Sequence, residues 1–151
     1  MNSKINIKPN DQYNFLTSQN VINISEEVIK FSENVLPRND TIVKLNFYIK
    51  DIKKCTDMES SIFEYSLIYC FNKNYTKEYI KPIYIDKLNS LLLNIDASTY
   101  LNNKTLLEEI NNNNINCLYI AFLPPHQIHP EKWIEIIKKN DKNEISKNNG
   151  N

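Results

Sequence analysis

Apolar residues recur at intervals of three and four along most of this chain, a spacing that places them on one face of an α-helix. Residues 40–53 are predicted to form one such helix, with a buried stripe of Ile42, Leu45, Ile49 and Ile52. Comparable stripes predict six further helices. One begins after Ser25, one begins at Thr56, and the others cover residues 82–94, 103–110, 115–122 and 130–139. The pattern therefore predicts an all-α fold, a single compact helical bundle with residues 82–94 as its long central helix.

Residues that favour helix ends support several of these boundaries. Ser25 suits an N-cap position, and Thr56 and Glu59 have the spacing of a capping box. Pro37 is expected to end the first helix. Glycine occurs once, so asparagine is expected to form tight turns in its place, as in the four-residue run at 111–114.

The length of 151 residues fits one domain. Residues 1–19 are polar and lack a clear period, so we predict a mobile N-terminal arm. Residues 20–139 form the predicted helical domain, and its last helix carries Trp133 as the expected anchor on the bundle. Residues 140–151 are predicted to be a disordered tail, so disorder is expected at both termini.

Charge and cysteine content narrow the classes of function. The chain carries 18 basic and 18 acidic residues, and Arg38 is its only arginine. Arginine is preferred for reading base edges, so direct sequence-specific nucleic-acid binding is not expected. No apolar run is long enough to span a membrane. Cys55, Cys70 and Cys117 are far apart and odd in number, which favours buried free thiols in a reducing, intracellular compartment.

Sites for catalysis, cofactors or metals are not expected. The sequence has no glycine-rich phosphate loop and no Cys-x-x-Cys pair. His126 and His129 could share a helix face, with Glu131 as a third metal ligand, but the prolines around them disfavour a regular helix. Glu108 and Glu109 are adjacent and diverge on a helix, which is typical of a solvated face. We therefore predict no cofactor, no metal and no enzymatic activity.

The chain is also rich in tyrosine. Tyr65, Tyr69, Tyr79 and Tyr84 could stack on nucleic-acid bases. Because no arginine-bearing groove accompanies them, packing within the core is the favoured interpretation.

Five short segments carry a resemblance to a known family. They are MESSIFEY at 58–65, YIDKLNSL at 84–91 with Asn94 and Ile95 after it, YLNNK at 100–104 with Leu106 and Leu107 after it, IAFL at 120–123, and PEKW at 130–133. In order and spacing they resemble the central domain of transcription elongation factor S-II (TFIIS), above all its virus-encoded and divergent members. The resemblance covers residues 58–139.

This resemblance implies a helical domain that docks on a multisubunit DNA-dependent RNA polymerase. In the family a zinc ribbon with an acidic pair follows the domain and promotes transcript cleavage. The 151 residues lack the ribbon cysteines, so the resemblance implies docking without cleavage, in the nucleus or, for a viral protein, in the cytoplasm or virion. Lys81, Lys87 and Lys104 are the residues expected at the polymerase contact.

Two alternatives differ in class from a transcription factor. One is a non-catalytic helical interaction or viral accessory protein that reuses the fold, for which a large exposed apolar patch is the expected mark. The other is a small enzyme, which would need a deep pocket with converging polar groups.

Overall fold

The computed structural model describes residues 2–6 and 21–132, with side chains described from Ile24 onward. Its α-helices are α1 (Glu26–Val35), α2 (Arg38–Ile49), α3 (Ile52–Asn72), α4 (Ile80–Ile95), α5 (Thr105–Asn111) and α6 (Pro125–Ile128). Two 3₁₀ helices, Lys77–Tyr79 and Cys117–Phe122, precede α4 and follow α5. The predicted all-α helical bundle is confirmed.

A short antiparallel pair of strands precedes the bundle and was not predicted. Strand β1 (Asn2–Asn6) pairs with β2 (Val21–Ser25), with Asn2 opposite Ser25. Isoleucine and valine favour this extended pairing, but the polar residues around them hid it in the sequence pattern. The rest of the predicted arm and the predicted tail at 140–151 lie outside the described residues.

Strand β2 leads directly into α1 through the predicted cap. The Ser25 hydroxyl accepts a hydrogen bond from the backbone N–H of Val28 at 3.2 Å, which satisfies one of the free donors of the first turn. Helix α1 ends at Val35, just before Pro37, as predicted.

The predicted boundary between the next two helices is wrong. Lys50 adopts a left-handed conformation with φ of 56° and ends α2, and the carboxylate of Asp51 caps α3 by accepting from the backbone N–H of Lys54. Thr56 therefore lies inside α3, where its hydroxyl donates to the carbonyl of Ile52. Ile52 was predicted to be buried but is 59% exposed, because it belongs to the first turn of α3.

Helix α3, and not the predicted segment at 82–94, is the long central helix. It has 21 residues and packs against α2, α4 and the second 3₁₀ helix. The predicted long helix corresponds to α4, which has 16 residues. Pro82 lies in the first turn of α4, where a missing N–H costs no intrahelical hydrogen bond.

The hydrophobic core lies along α3. Its largest fully buried side chains are Tyr84, Phe122, Leu45, Met58, Ile62, Leu67, Ile68, Ile80, Leu88, Ile95 and Leu106. The three cysteines are free and buried within it, as predicted. Asn113 in the asparagine run has φ of 61°, which confirms the predicted turn.

The region after α5 departs in detail from the prediction. Residues 115–122 were expected to form an α-helix, but the structure has a 3₁₀ helix in which Leu118 is 43% exposed. The prolines around His126 and His129 were expected to disfavour a regular helix, yet Pro125 begins α6, because proline fits the first helical position. Residues 130–132 begin the last predicted helix, whereas Trp133 lies outside the described residues.

Candidate partner-binding surface

The position of α4 is set by a buried polar network at its inner side. The guanidinium of Arg38 forms hydrogen bonds to both carboxylate oxygens of Glu59, the shortest at 2.7 Å, and the Tyr84 hydroxyl donates to Glu59 at 2.9 Å. Arg38 also lies over the ring of Phe63, 3.9 Å from its centroid. This Arg38–Glu59–Tyr84 network joins α2, α3 and α4 through one carboxylate.

The network fixes the protonation of its members. Burial opposes the charge of Arg38, but the hydrogen bonds and negative charge of Glu59 outweigh it, so the pKa of the guanidinium lies above its ordinary value. Burial also raises the pKa of the Tyr84 hydroxyl, and the neighbouring Glu59 carboxylate adds to the effect. The network therefore consists of one ion pair and a neutral phenol, and Arg38 and Tyr84 both donate their hydrogen bonds to Glu59 within the bundle.

Three residues after Tyr84 on α4, Lys87 is a half-buried cation. Its Nζ lies 4.2 Å from the ring centroid of Tyr65, a cation–π distance. Burial lowers the pKa of its ammonium group below the ordinary value of 10.5. Lys87 thus carries a partly desolvated charge at the surface of the bundle.

A cleft of about 310 Å³ lies beside Lys87, between α4 and the chain that follows the second 3₁₀ helix. Its lining residues are Lys87, Ser90, Asn94, Leu101, Leu123, Pro125, Ile128, His129 and Lys132. We call it the Lys87 cleft. It combines aliphatic walls with positively charged and neutral polar groups, a composition suited to binding a partner group.

One buried asparagine holds the two walls of the Lys87 cleft together. The Asn103 amide donates to the side chain of Asn94 at 3.1 Å and to the carbonyl of Ile128 at 2.7 Å. Its oxygen accepts from the backbone N–H groups of Thr105 and Leu106, so it also caps the first turn of α5. Asn103 is fully buried, and all of these bonds are therefore shielded from water.

The three predicted contact lysines do not form one patch. Lys81 and Lys104 are exposed, at the start of α4 and just before α5. Lys81 and Lys87 are six residues apart on α4, so they point in directions about 120° apart. Of the three, only Lys87 lines the cleft, where it is half-buried, whereas the other two are exposed to solvent.

The tyrosines divide between core and surface. Tyr84 is fully buried, as the core interpretation predicted, whereas Tyr79 is 55% exposed and was predicted wrongly. Tyr65, Tyr69, Tyr75 and Tyr79 form a row with neighbouring ring centroids 5.2–6.3 Å apart. The rings are tilted against each other, so they stabilise one another by edge and offset contacts.

The other predicted chemical groups do not converge. His129 lines the Lys87 cleft, whereas His126 lines a separate hollow, and Glu131 accepts a hydrogen bond from the Thr105 hydroxyl. Within residues 24–132 no group of three or more His, Cys, Asp or Glu side chains is placed to hold a metal ion. No helix among the described residues is both long enough and apolar enough to cross a membrane.

Several residues of the cleft were missed by the sequence analysis. Ser90 and Lys132 were inside recognised segments but had no distinguishing signal, because their neighbours in the cleft come from distant parts of the chain. Asn94 and Asn103 were quoted as parts of the resemblance, although their mutual hydrogen bond could not be read from spacing.

The structure packs the resembling segments against each other. Glu59 of the first segment bonds to Tyr84 of the second, and Ser61 of the first accepts from the backbone N–H of Ala121 in the fourth. Together with the Asn94–Asn103 bond, these contacts join the first four segments into one packed unit.

The chain is similar to a viral protein of transcription. It is 27% identical over 121 residues to the transcription factor S-II-related protein of Acanthamoeba polyphaga mimivirus, and the alignment covers 80% of this chain and 70% of that protein. No family model and no solved structure matches the chain. The similarity supports an S-II-like family and a transcription-factor-like function.

Proposed function

We propose that this chain is an S-II-like transcription factor whose helical bundle docks on a multisubunit DNA-dependent RNA polymerase. The similarity to the mimivirus S-II-related protein over 80% of the chain carries the proposal. The packing of the resembling segments into one unit supports it, because a docking domain needs a rigid surface.

The proposed activity of these residues is docking, not catalysis. Cys55, Cys70 and Cys117 pack in the hydrophobic core, so we assign them to the core and not to a zinc ribbon. Burial raises the pKa of the Cys70 thiol to about 11, which keeps it protonated and unsuited to binding metal at neutral pH. A reducing compartment, in which a polymerase works, suits three free thiols.

A pull-down tests the proposal. The tagged chain is incubated at low salt with extract containing the polymerase of the same genome, and the large polymerase subunits are measured on the beads. We expect capture by the wild-type chain, reduced capture by Lys87→Met, and unchanged capture by Lys30→Met, a matched exposed lysine on α1. Failure of the wild-type chain to retain polymerase at low salt would reject the proposed function.

A second candidate function, an interaction protein outside transcription, is favoured by the outer face of α2. Val43 and Phe47 lie one turn apart on this face and are 69% and 75% exposed. Exposed apolar side chains that adjoin one another mark contact surfaces more often than isolated ones do. The substitution Phe47→Ser distinguishes the candidates, because polymerase capture is expected to survive it if α4 carries the contact.

A further inference from the structure

Lys87 is a desolvated cation without a counter-charge inside the described part of the chain. The ion pairs there join Arg38 to Glu59, Lys53 to Asp57 and Lys77 to Glu27. The described contact of the Lys87 ammonium is with the ring of Tyr65. A ring quadrupole compensates only part of the hydration that a half-buried ammonium loses, so an anion placed beside it is favoured.

The Lys87 cleft offers such an anion a defined place. Lys132 and His129 also line it, and no carboxylate does within residues 24–132. The hollow on the other side of Lys87 contains Asp86, which would repel an anion. Electrostatics therefore favours the cleft over the second hollow.

The walls of the cleft define the remainder of the ligand. Leu101, Leu123 and Ile128 supply aliphatic surface next to the charged groups. A volume of about 310 Å³ accommodates a few side chains and not a folded element. The cleft thus fits a short segment that combines one anionic group with apolar neighbours.

We propose that the Lys87 cleft binds an acidic side chain of a partner polypeptide, with Lys87 as its counter-charge and the aliphatic walls packing an adjacent apolar residue. The inference deepens the proposed function, on which it rests for the source of the partner segment, an acidic region of the polymerase surface. Asn103 acts as a positioning residue, since it holds the two walls of the cleft in place.

A peptide fits the cleft better than a nucleic acid does. The single arginine is occupied by Glu59, and the cleft contains lysine, which binds phosphate only as a point charge. Among the described residues, its walls are aliphatic and include no aromatic ring on which a base could stack. The formal net charge of the chain is zero, so no long-range field draws a polyanion to it.

Selection from a random twelve-residue peptide library on the full chain tests the proposal. We expect enrichment of peptides in which Asp or Glu adjoins an aliphatic or aromatic residue. The best peptide is then synthesised with fluorescein, and its affinity is measured by anisotropy beside a copy with Gln or Asn in place of each acid. Loss of the charge-assisted contact should weaken binding about tenfold or more.

Matched variants locate the binding site. Lys87→Met keeps the length and apolar stem of the side chain and is expected to weaken the acidic peptide about tenfold. Lys87→Arg keeps the charge and should retain most of the affinity, and Lys30→Met, at an exposed lysine on α1, should change it less than about twofold. Unfolding by urea, followed by circular dichroism, confirms that each variant is folded.

Three results would overturn the inference. They are a selection without acidic enrichment, equal binding of the acidic peptide to wild type and Lys87→Met, and displacement of the peptide by a twelve-nucleotide oligothymidylate at lower concentration than by unlabelled peptide.

Failure of the cleft proposal and failure of the docking proposal give different results. Equal capture of polymerase by wild type and Lys87→Met leaves docking intact and rejects the cleft as its site. Binding of the peptide that depends on Lys87, without capture of polymerase by the wild-type chain, keeps the cleft as a binding site and rejects the proposed docking on polymerase.

Discussion

Two partly buried cations next to α4 differ in the partners that the fold gives them. The guanidinium of Arg38 meets a carboxylate that is 3% exposed and is shared with Tyr84. Three residues after Tyr84 on α4, the ammonium of Lys87 lies over the ring of Tyr65, and no carboxylate of the described residues is within ion-pair distance of it. Burial lowers the pKa of Lys87, whereas Glu59 more than offsets burial at Arg38.

This difference separates a structural charge from one available to a partner. A paired, hydrogen-bonded charge is already satisfied, and removing one member leaves the other stranded in the bundle. An unpaired charge at the rim weakens the fold slightly and is available to a ligand that completes the pair. The comparison therefore predicts opposite effects on stability and on binding for substitutions of Arg38 and of Lys87.

The largest effect is expected for Arg38→Met, which leaves the carboxylate of Glu59 buried and without its cation. The free energy of unfolding should fall by about 3–5 kcal/mol, as measured by urea denaturation. The double variant Arg38→Met with Glu59→Met, in which neither charge is present, should regain much of the loss. A loss below about 1 kcal/mol in the single variant would show that water reaches the carboxylate and that the network is not sealed.

An intermediate effect is expected for Tyr84→Phe, which keeps the ring and removes one hydrogen bond to Glu59. The cost should be about 1.5 kcal/mol, since Arg38 still satisfies the carboxylate. The matched control Tyr100→Phe removes a hydroxyl from a side chain that is 83% exposed and should change stability by less than about 0.5 kcal/mol. Equal effects of the two substitutions would contradict the role assigned to the network.

The smallest effect on stability is expected for Lys87→Met. It removes a desolvated charge and keeps an apolar contact with Tyr65, so the free energy of unfolding should rise slightly, within about 0.5 kcal/mol. The folded-state pKa of Lys87 lies below its unfolded value of 10.5, so unfolding takes up a proton in the window between the two. Wild-type stability therefore gains with pH through this window relative to the variant.

The advantage of Lys87→Met over wild type should accordingly be present near pH 8 and disappear as the pH approaches 10.5. Parallel urea titrations of the two proteins measure this difference, and the alkaline titration of the tyrosines distant from Lys87 cancels between them. An advantage that is constant across this range would mean that Lys87 is as hydrated in the folded protein as in the unfolded chain.

Part of this architecture was predictable because local chemistry specifies it. Ser25 caps α1, Pro37 separates α1 from α2, and the asparagine run forms a turn, as their side chains and backbone preferences require. The apolar stripe of α4 identified that helix to within two residues at its start. The resemblance to S-II also came from local segments, and the similarity to the mimivirus protein supports it.

The boundary between α2 and α3 was predicted wrongly because the local sequence pattern there also fits a different arrangement. Glu59 has the spacing of a capping box with Thr56, yet it pairs with Arg38, 21 residues earlier. Lys50 has no special preference for a left-handed conformation, and nothing in its neighbourhood marks it as the end of α2. Ile52 continues the apolar period of α2 but belongs to α3, so periodicity alone joined two helices across their boundary.

The sequence by itself determined the helical class of this protein, the cap at Ser25, the asparagine turn and the resemblance to S-II, because these depend on residues within a few positions of each other. The tertiary structure decided which charges are satisfied. Arg38 and Lys87 each have an aspartate within two residues in the sequence, and only the packing of α2, α3 and α4 supplies Glu59 to one and a tyrosine ring to the other. A counter-charge is a long-range partner, which no local pattern encodes.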